Sequence, residues 1–429
     1  MKKIKIAWWI GICILLAYLT TLCILRFVNP FTAERKIDGI ENIGTSFQDF
    51  EIPTDVKVVG IGEGTHGNSE FQTIKLSVFQ KMVQNGSCHS IAFEMTAGQA
   101  AIINDAIHNS DSDLEAIMAE NDYPIYDTQE IIDMLTWMRD YNMAVPYEES
   151  LIFYGVDMQG GYRSLEYLQG LCSDSDVLKS NLSEEEINQL ISYSTDNNDY
   201  ENDKDFFTNL RDRFAANEDC NSKLIASQLD ILIQYIEAPS FNESPDKYAN
   251  YRDSSMANNL MTYYKIEEAR GYGQILITAH NGHVMKGNAS ANGYGDSSTM
   301  GGRIDELFEG SYFCIGTDFY KGVVNIHTAG TFDDQYERAD HEFCSDDPLA
   351  YQAKYFNDNI YCLDFTKINE SQKNIYNIIH DYTFTGMIGE GYNPANDINK
   401  SERIKIIPAD RYDAMIYYYE VTPIDPINY

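Results

Sequence analysis

Positive charge is scarce in this 429-residue chain: 31 lysines and arginines face 66 aspartates and glutamates, for a formal charge of −35. No long basic run interrupts the acidic portion, which argues against nucleic acid as a partner, because phosphate contacts need a basic surface. Clustered cysteine is missing as well. Cys13 and Cys23 fall in an apolar N-terminal stretch, while Cys88, Cys172, Cys220, Cys314, Cys344 and Cys362 are scattered, with no C-x-x-C pair. That pattern excludes a disulfide scaffold and a zinc-type cysteine cluster, although export would permit one or two bridges. Internal repeats are absent, and nothing reads as a linker between independent folds. Core-forming material is plentiful: 44% of residues are hydrophobic and 13% aromatic, which excludes a disordered chain.

The few positive charges are unevenly placed. Lys2, Lys3, Lys5 and Arg26 flank an uncharged run from Ile6 to Leu25, and residues 1–30 hold no acid. A helix of that length spans about 30 Å, the thickness of a bilayer core. The expectation is an uncleaved N-terminal membrane anchor over residues 1–27, with the basic end in the cytoplasm and an exported body. No small-x-small site follows the run, which disfavours a cleaved signal peptide. Residues 28–50 read as a tether and residues 51–429 as one catalytic domain.

Within that domain, short apolar runs alternate with helical patterns. Strands are expected at Val56–Gly62, Ser90–Phe93, Leu151–Gly155, Gln274–Ala279, Tyr312–Thr317, Gly322–Ile326, Ile360–Phe365 and Ala414–Val421. Helices are expected at Glu70–Gln84, Ala97–Ala119, Thr128–Asp140 and Met256–Arg270. This is the pattern of an α/β fold with a largely parallel or mixed central sheet flanked by helices. Residues 173–251 break the alternation and read as a helical insertion or cap, and Asp196–Asp205 as a solvated loop.

Polar residues gather where such a sheet binds its ligands, just past the strands. The first strand is followed by GEGTHGNSE, giving Glu63, His66 and Glu70; the second by Glu94; the third by Asp157; the fourth by AHNGH, giving His280 and His283. The glycines around Glu63 and His66 permit tight turns that expose both side chains. The G-x-G-x-x-G spacing is lacking and a carboxylate sits inside the loop, so a dinucleotide fingerprint is rejected. There is no G-x-S-x-G elbow for a serine hydrolase and no H-E-x-x-H helix for a zincin. Two chemistries stay open. One is a metal-assisted hydrolase using His66, His280 and His283 with Glu63 or Glu94. The other needs no cofactor: a histidine activates water while a second histidine or a cation stabilises the oxyanion. Local structure offers plain alternatives for some residues. Asp157 could cap a helix, Glu70 and Lys75 could be a solvated helix face, and Arg252 with Asp253 could be an ordinary helix start.

The ordered segments GEGTHGNSEFQTIK, IAFEM, YGVDMQG, YRDSSMANNL, AHNGH and MGGRIDELFEG resemble the erythromycin esterase family, from about residue 56 to 320. The resemblance implies hydrolysis of a carboxylic ester or macrolide lactone without a metal, with a small-molecule ester as partner. It implies His66 as general base, Glu63 and Glu94 shaping the site, and His280 and His283 binding substrate or polarising its carbonyl. Glu70, Lys75, Arg252 and Asp157 become binding or supporting residues, with Asp253 and Asn259 behind them. Lys75 stands where the family often has arginine, which removes a bidentate contact. The expected anchor also departs from the cytoplasmic members of the family. A catalytically inactive envelope binding protein is the reading from a different functional class.

Overall fold

The computed structural model describes residues 8–21, 34–120, 124–174, 176–195, 198–288, 298–329, 338–394 and 402–427. The central sheet contains β1 (Val58–Glu63), β2 (Cys88–Thr96), β3 (Ile152–Asp157), β4 (Gln274–His280), β5 (Tyr312–Thr328), β7 (Ile360–Asp364) and β11 (Ala414–Val421). Their order is β3-β2-β4-β1-β5-β11-β7. The pairs from β3 to β11 are parallel, and β7 closes the edge antiparallel to β11. β1 lies at the middle and is buried along its whole length, which is why it reads as an unbroken apolar run.

Helices cover both faces. Ser69–Gln84 and Gln129–Ala144 bury Phe71, Val78, Leu135 and Met138 against one face. Pro245–Arg270 and Met300–Leu307 bury Met256, Leu260 and Ile304 against the other. A third core, with Leu165, Phe207, Leu229 and Leu232, is formed among the helices from Tyr162–Asp174 to Cys220–Glu237 and so begins ahead of the segment expected as an insertion.

Several expectations change in detail. The helix expected over Ala97–Ala119 is two, Ala97–Ile107 and Leu114–Ala119, the second capped by the Asp113 carboxylate on Ala116 N–H at 3.1 Å. The long helix begins at Pro245, so Arg252 and Asp253 lie inside it rather than at its start. Its polar first turns hide the helical period from sequence reading. The two short strands expected between Tyr312 and Ile326 are one long β5, whose outer half pairs with β6 (Arg338–Cys344) and β9 (Gly391–Tyr392). A small antiparallel pair, β8 (Thr383–Gly386) and β10 (Arg403–Ile406), was not legible in the sequence. Of the supposed solvated loop, residues 196–197 lie outside the described residues, and Tyr200 is fully buried.

The membrane anchor is corrected. Among the described residues, no helix is long and apolar enough to cross a membrane. The described part of the N-terminal run is a helix over residues 8–21, and about 20 helical residues are needed to cross a ~30 Å bilayer core. Residues 1–7 and 22–33 lie outside the described residues. The uncharged run counted in the sequence is therefore not a described spanning helix. The membrane partnership and the single-pass, extracytoplasmic location inferred from it lose their basis.

One close approach holds the site loop. A Cβ on Gly301 would lie 1.9 Å from the Val284 carbonyl oxygen, so the Met300–Leu307 helix can seat against the turn carrying His283 only without a side chain there. Gly301→Ala should lower stability by about 1–3 kcal/mol, read as a reduced urea midpoint with an unchanged m-value.

Candidate active site

Strand register brings the polar residues together. Glu63 at the end of β1 is paired with His280 at the end of β4. β2 flanks β4 on the other side, and Glu94 Oε2 accepts a hydrogen bond from His280 N–H at 2.9 Å. Asp157 ends β3 beside Thr96 of β2. Parallel strands end on the same side, so residues more than 200 positions apart meet without long side chains.

Glu63 is fully buried and supplies the first cluster. Its Oε2 accepts from Lys75 Nζ at 2.9 Å and Gln72 Nε2 at 3.1 Å, and its Oε1 accepts from the Tyr126 hydroxyl at 3.2 Å. Gln72 and Lys75 are three residues apart and share a face of the helix that Asn68 caps through its Oδ1 on Phe71 N–H. Lys75 Nζ also donates to Gln72 Oε1 at 2.7 Å and lies over the Tyr126 and Phe93 rings. Burial pushes the Glu63 carboxyl up, but the Lys75 and His66 charges outweigh it and hold its pKa at about 2. Glu63 is thus a carboxylate throughout the working range.

His66 Nδ1 lies 3.2 Å from Glu63 Oε1, an ion-pair contact off the hydrogen-bonding line. An acceptor at Nδ1 places the ring proton there and leaves Nε2 as the basic nitrogen. Burial lowers the His66 pKa and the neighbouring carboxylates, Glu63 first, raise it; the net shift is upward. The His280 ring centroid is 5.4 Å away. His280 behaves oppositely: burial, helped by the His66 charge, pulls its pKa down to about 3. Its Nδ1 accepts from Gly282 N–H at 3.2 Å, so the proton is on Nε2, which is buried without a hydrogen-bond partner. A neutral imidazole with one unused N–H is the result.

The second cluster is ionic. Arg252 sends Nε and Nη2 to Asp157 at 3.0 and 2.6 Å, and Nη2 also reaches Glu94 Oε1 at 2.7 Å. His283 Nδ1 meets Asp253 Oδ1 at 2.6 Å, and its Nε2 is 3.3 Å from Glu94 Oε1. Burial lowers the His283 pKa, but Glu94 and Asp253 carry it up to about 9. At neutral pH it is an imidazolium, and its Nε2 stands 3.1 Å from Arg252 Nη1. The three carboxylates Glu94, Asp157 and Asp253 hold these two cations side by side. Glu94 is the shared member, and the cations depress its pKa strongly against the upward push of burial.

Both clusters border one cavity of about 690 Å³, lined by His66, Glu94, Arg252, His280 and His283 on the sheet side. Gln159, Phe241 and Tyr248 also line it, as do Met387, Glu390, Glu402 and Ile404. The sequence-derived set divides accordingly. Glu63, His66, Glu94, Asp157, Arg252, His280 and His283 converge. Lys75 is not a solvated helix face but a 1%-exposed partner of Glu63. Asp157 caps no helix; apart from Arg252 it accepts from Gln159 N–H at 3.0 Å. Glu70 lies apart from that cluster: its carboxylate accepts from the backbone and hydroxyl of Thr422 and ties down the end of β11. Asn259 supports from behind, donating to the Val156 carbonyl at 2.8 Å.

Sequence reasoning missed Tyr126, Gln72, Asn281, Thr317 and Glu390. Asn281 and Thr317 staple the site loops together: Asn281 Nδ2 donates to Thr317 O at 2.7 Å and Thr317 Oγ1 to Gly62 O at 2.9 Å. Glu390 sits in GMIGEGY, a carboxylate between glycines like Glu63, and that signal was available. Among the described residues, no group of three or more His, Cys, Asp or Glu is arranged to hold a metal ion. The reason is visible in the contacts. His283 spends both nitrogens on carboxylates, and His280 spends one on Gly282.

A doubly covered parallel sheet whose strand ends gather a carboxylate-backed histidine, a neutral histidine donor and a cation pair around one cavity defines a hydrolase-type α/β protein. The sequence model described as Erythromycin esterase matches residues 83–421, and the chain belongs to that family. It is an erythromycin esterase-like carboxylic ester hydrolase. The match begins beyond Glu63, His66, Glu70 and Lys75, so the arrangement of those residues is known from geometry. An Escherichia coli protein named Erythromycin esterase type II is 21% identical over 317 residues, covering 65% of this chain and 71% of that protein. A Bacillus cereus crystal structure shares the fold with a TM-score of 0.66 and 21% identity, over 87% of this chain and 90% of that one. So does an erythromycin esterase variant in its open conformation, at 0.52 and 16%, over 86% and 91%. A third structure, described as a succinoglycan biosynthesis protein, superposes at 0.65 with 17% identity over 86% and 89%.

Lys75→Met should leave the Glu63 carboxylate buried without its cation and cost about 3–5 kcal/mol of stability. Adding Glu63→Gln should recover part of the loss. Equilibrium denaturation of the single and double variants checks this.

Proposed function

We propose that the chain hydrolyses a carboxylic ester, a macrolide lactone among the candidates, by general-base activation of water at His66. The observation that carries this reading is His66 itself: Nδ1 is set against the ionised Glu63, and Nε2 is the nitrogen left to the cavity. Nε2 takes a proton from water as the hydroxide oxygen attacks the ester carbonyl carbon. The carbonyl π pair moves onto oxygen, where the unused His280 Nε2–H stands as donor; a neutral donor with no competing partner is suited to an oxyanion. When the intermediate collapses, the C–O bond to the alcohol breaks and the alkoxide leaves with the proton stored on His66. Acid and alcohol are the products, and water is the only co-reactant. Glu63 stabilises the transient imidazolium without itself taking the proton. Arg252 and His283 hold Glu94, and Glu94 in turn fixes the His280 backbone.

The cavity volume of about 690 Å³ falls in the range that encloses a ligand of drug size. The name of the Escherichia coli relative makes macrolides the first substrates to test. A mass-spectrometric screen for gain of one water, across macrolides and a panel of simple esters, tests the substrate directly. On a proven substrate, His66→Gln should lower turnover by roughly 10² or more while leaving the fold intact. Near-full activity in that variant would sink the reading.

The pH profile follows from the two histidines. The base must be neutral, and its pKa is raised above the ordinary value of about 6.5. Activity should therefore rise with pH through a limb above that value. His283 loses its proton as pH passes about 9. Since its folded pKa is raised, the stability it contributes is full below its unfolded pKa and lost as pH climbs through about 9. Activity and melting temperature should both fall there, and His283→Gln should remove that alkaline step from both curves.

A further inference from the structure

Glu390 lines the same cavity as His66, on the turn between β8 and β9, and the esterase reading so far leaves it unused. Its Oε1 accepts from Arg338 Nη1 at 2.5 Å. Arg338, the first residue of β6, is held to Asn325 of β5, with Nε on Asn325 Oδ1 at 3.1 Å and Nη2 on the Asn325 carbonyl at 2.5 Å. The second carboxylate oxygen, Oε2, is sealed from solvent and has no hydrogen-bond partner. The turn is bolted to the loop that carries His66. Ile388 N–H donates to the Gly64 carbonyl at 3.2 Å, and the Thr65 hydroxyl donates to the Gly389 carbonyl at 3.2 Å. Thr65 immediately precedes His66, so carboxylate and imidazole border the same cavity from a common, cross-linked pair of loops.

We propose that Glu390 is a second positioning carboxylate for His66. Together with Glu63 it brackets the imidazole between two negative charges and stabilises the imidazolium formed when water is deprotonated. This rests on His66 being the base. Glu63 acts at Nδ1 from the sheet side; Glu390 acts through space from the cavity side, where the proton arrives. Other groups facing His66 are Glu94 on β2, Tyr126 and the neutral His280 on β4, and Lys75 behind Glu63. Glu390 faces Arg338 on β6 and His327 on β5, besides His66 and the more distant Glu63. Burial raises the Glu390 carboxyl above its ordinary value, and Arg338, His66 and His327 draw it back. Arg338 pairs with the carboxylate through Oε1, while Oε2 is left without a hydrogen-bond donor. A positive charge appearing on His66 is the compensation nearest in the chemistry.

The test separates this role from substrate contact and from catalysis by His66. Histidine NMR titration of the full chain, with His66 assigned by its loss in His66→Gln, is compared for the native protein, Glu390→Gln and Glu390→Asp. The His66 pKa should drop by about half a unit or more in Glu390→Gln, and by less in Glu390→Asp, which retains the charge. The acid limb of kcat/KM should move to lower pH by the same amount, with kcat reduced and KM little changed. An unmoved His66 titration in Glu390→Gln overturns the proposal, and a raised KM alongside it would make Glu390 a substrate contact instead. The titration needs no substrate, so a shifted His66 pKa in a protein whose His66→Gln variant stays active would refute the general-base reading and leave the pairing of Glu390 with His66 intact.

Discussion

The site depends on one buried ion pair. Glu63 sits at the end of the central strand with no exposure, and Lys75 reaches it from the following helix at 2.9 Å. A carboxylate buried without a cation would take up a proton rather than stay charged. A neutral Glu63 would no longer dictate which ring nitrogen of His66 holds the proton. The ammonium behind Glu63 thus sets the histidine in front of it. Gln72 and Tyr126 complete the coordination of the carboxylate and keep it from rotating away.

The same principle repeats on the neighbouring strands with larger partners. Glu94 and Asp157 end β2 and β3, and a single arginine from the long helix spans both. Arginine suits the task because its planar fork serves two acceptors at fixed angles. His283 joins as a second cation held by Asp253 and Glu94, and its raised pKa is the consequence. Between the two charged clusters stands His280, kept neutral by burial and by the positive character of its neighbours. Two histidines 5.4 Å apart are thereby driven to opposite protonation behaviour, one basic and one a neutral donor. That separation is what acid–base and oxyanion chemistry on a single carbonyl requires.

Much of this was legible beforehand because strand ends are marked in the sequence. Apolar runs such as VKVVGIG and QILITA stop abruptly at glycines, acids and histidines, and the sheet architecture converts those stops into neighbours. The partners that came from elsewhere were harder to see. Tyr126 lies in a short turn without periodicity, and Arg252 lies in a helix whose polar opening conceals its period. Glu390 follows a four-residue strand that, among the described residues, pairs with another equally short one. Such elements are stabilised by tertiary contacts, here Asp318 Oδ2 accepting from Gly386 N–H and the Thr385 hydroxyl, and not by local propensity. The N-terminal run illustrates the opposite error. Absence of charge over twenty residues suggested a span, but among the described residues no helix is long and apolar enough to cross a membrane.

The sequence by itself determined the alternation of strands and helices, the acidic balance, and the identity of the histidines and carboxylates at four strand ends. Those features are local: hydrophobic period, glycine spacing and residue type. Tertiary structure alone decided which of 66 acids carry a partner and which cation each one faces. It also placed Glu70 on Thr422, and Glu390 on the cavity that His66 lines. Protonation state is the physical reason for the difference. It is set by burial and by charges a few ångströms away, and those distances exist only once β1, β2, β4 and the turn after β8 have been brought together.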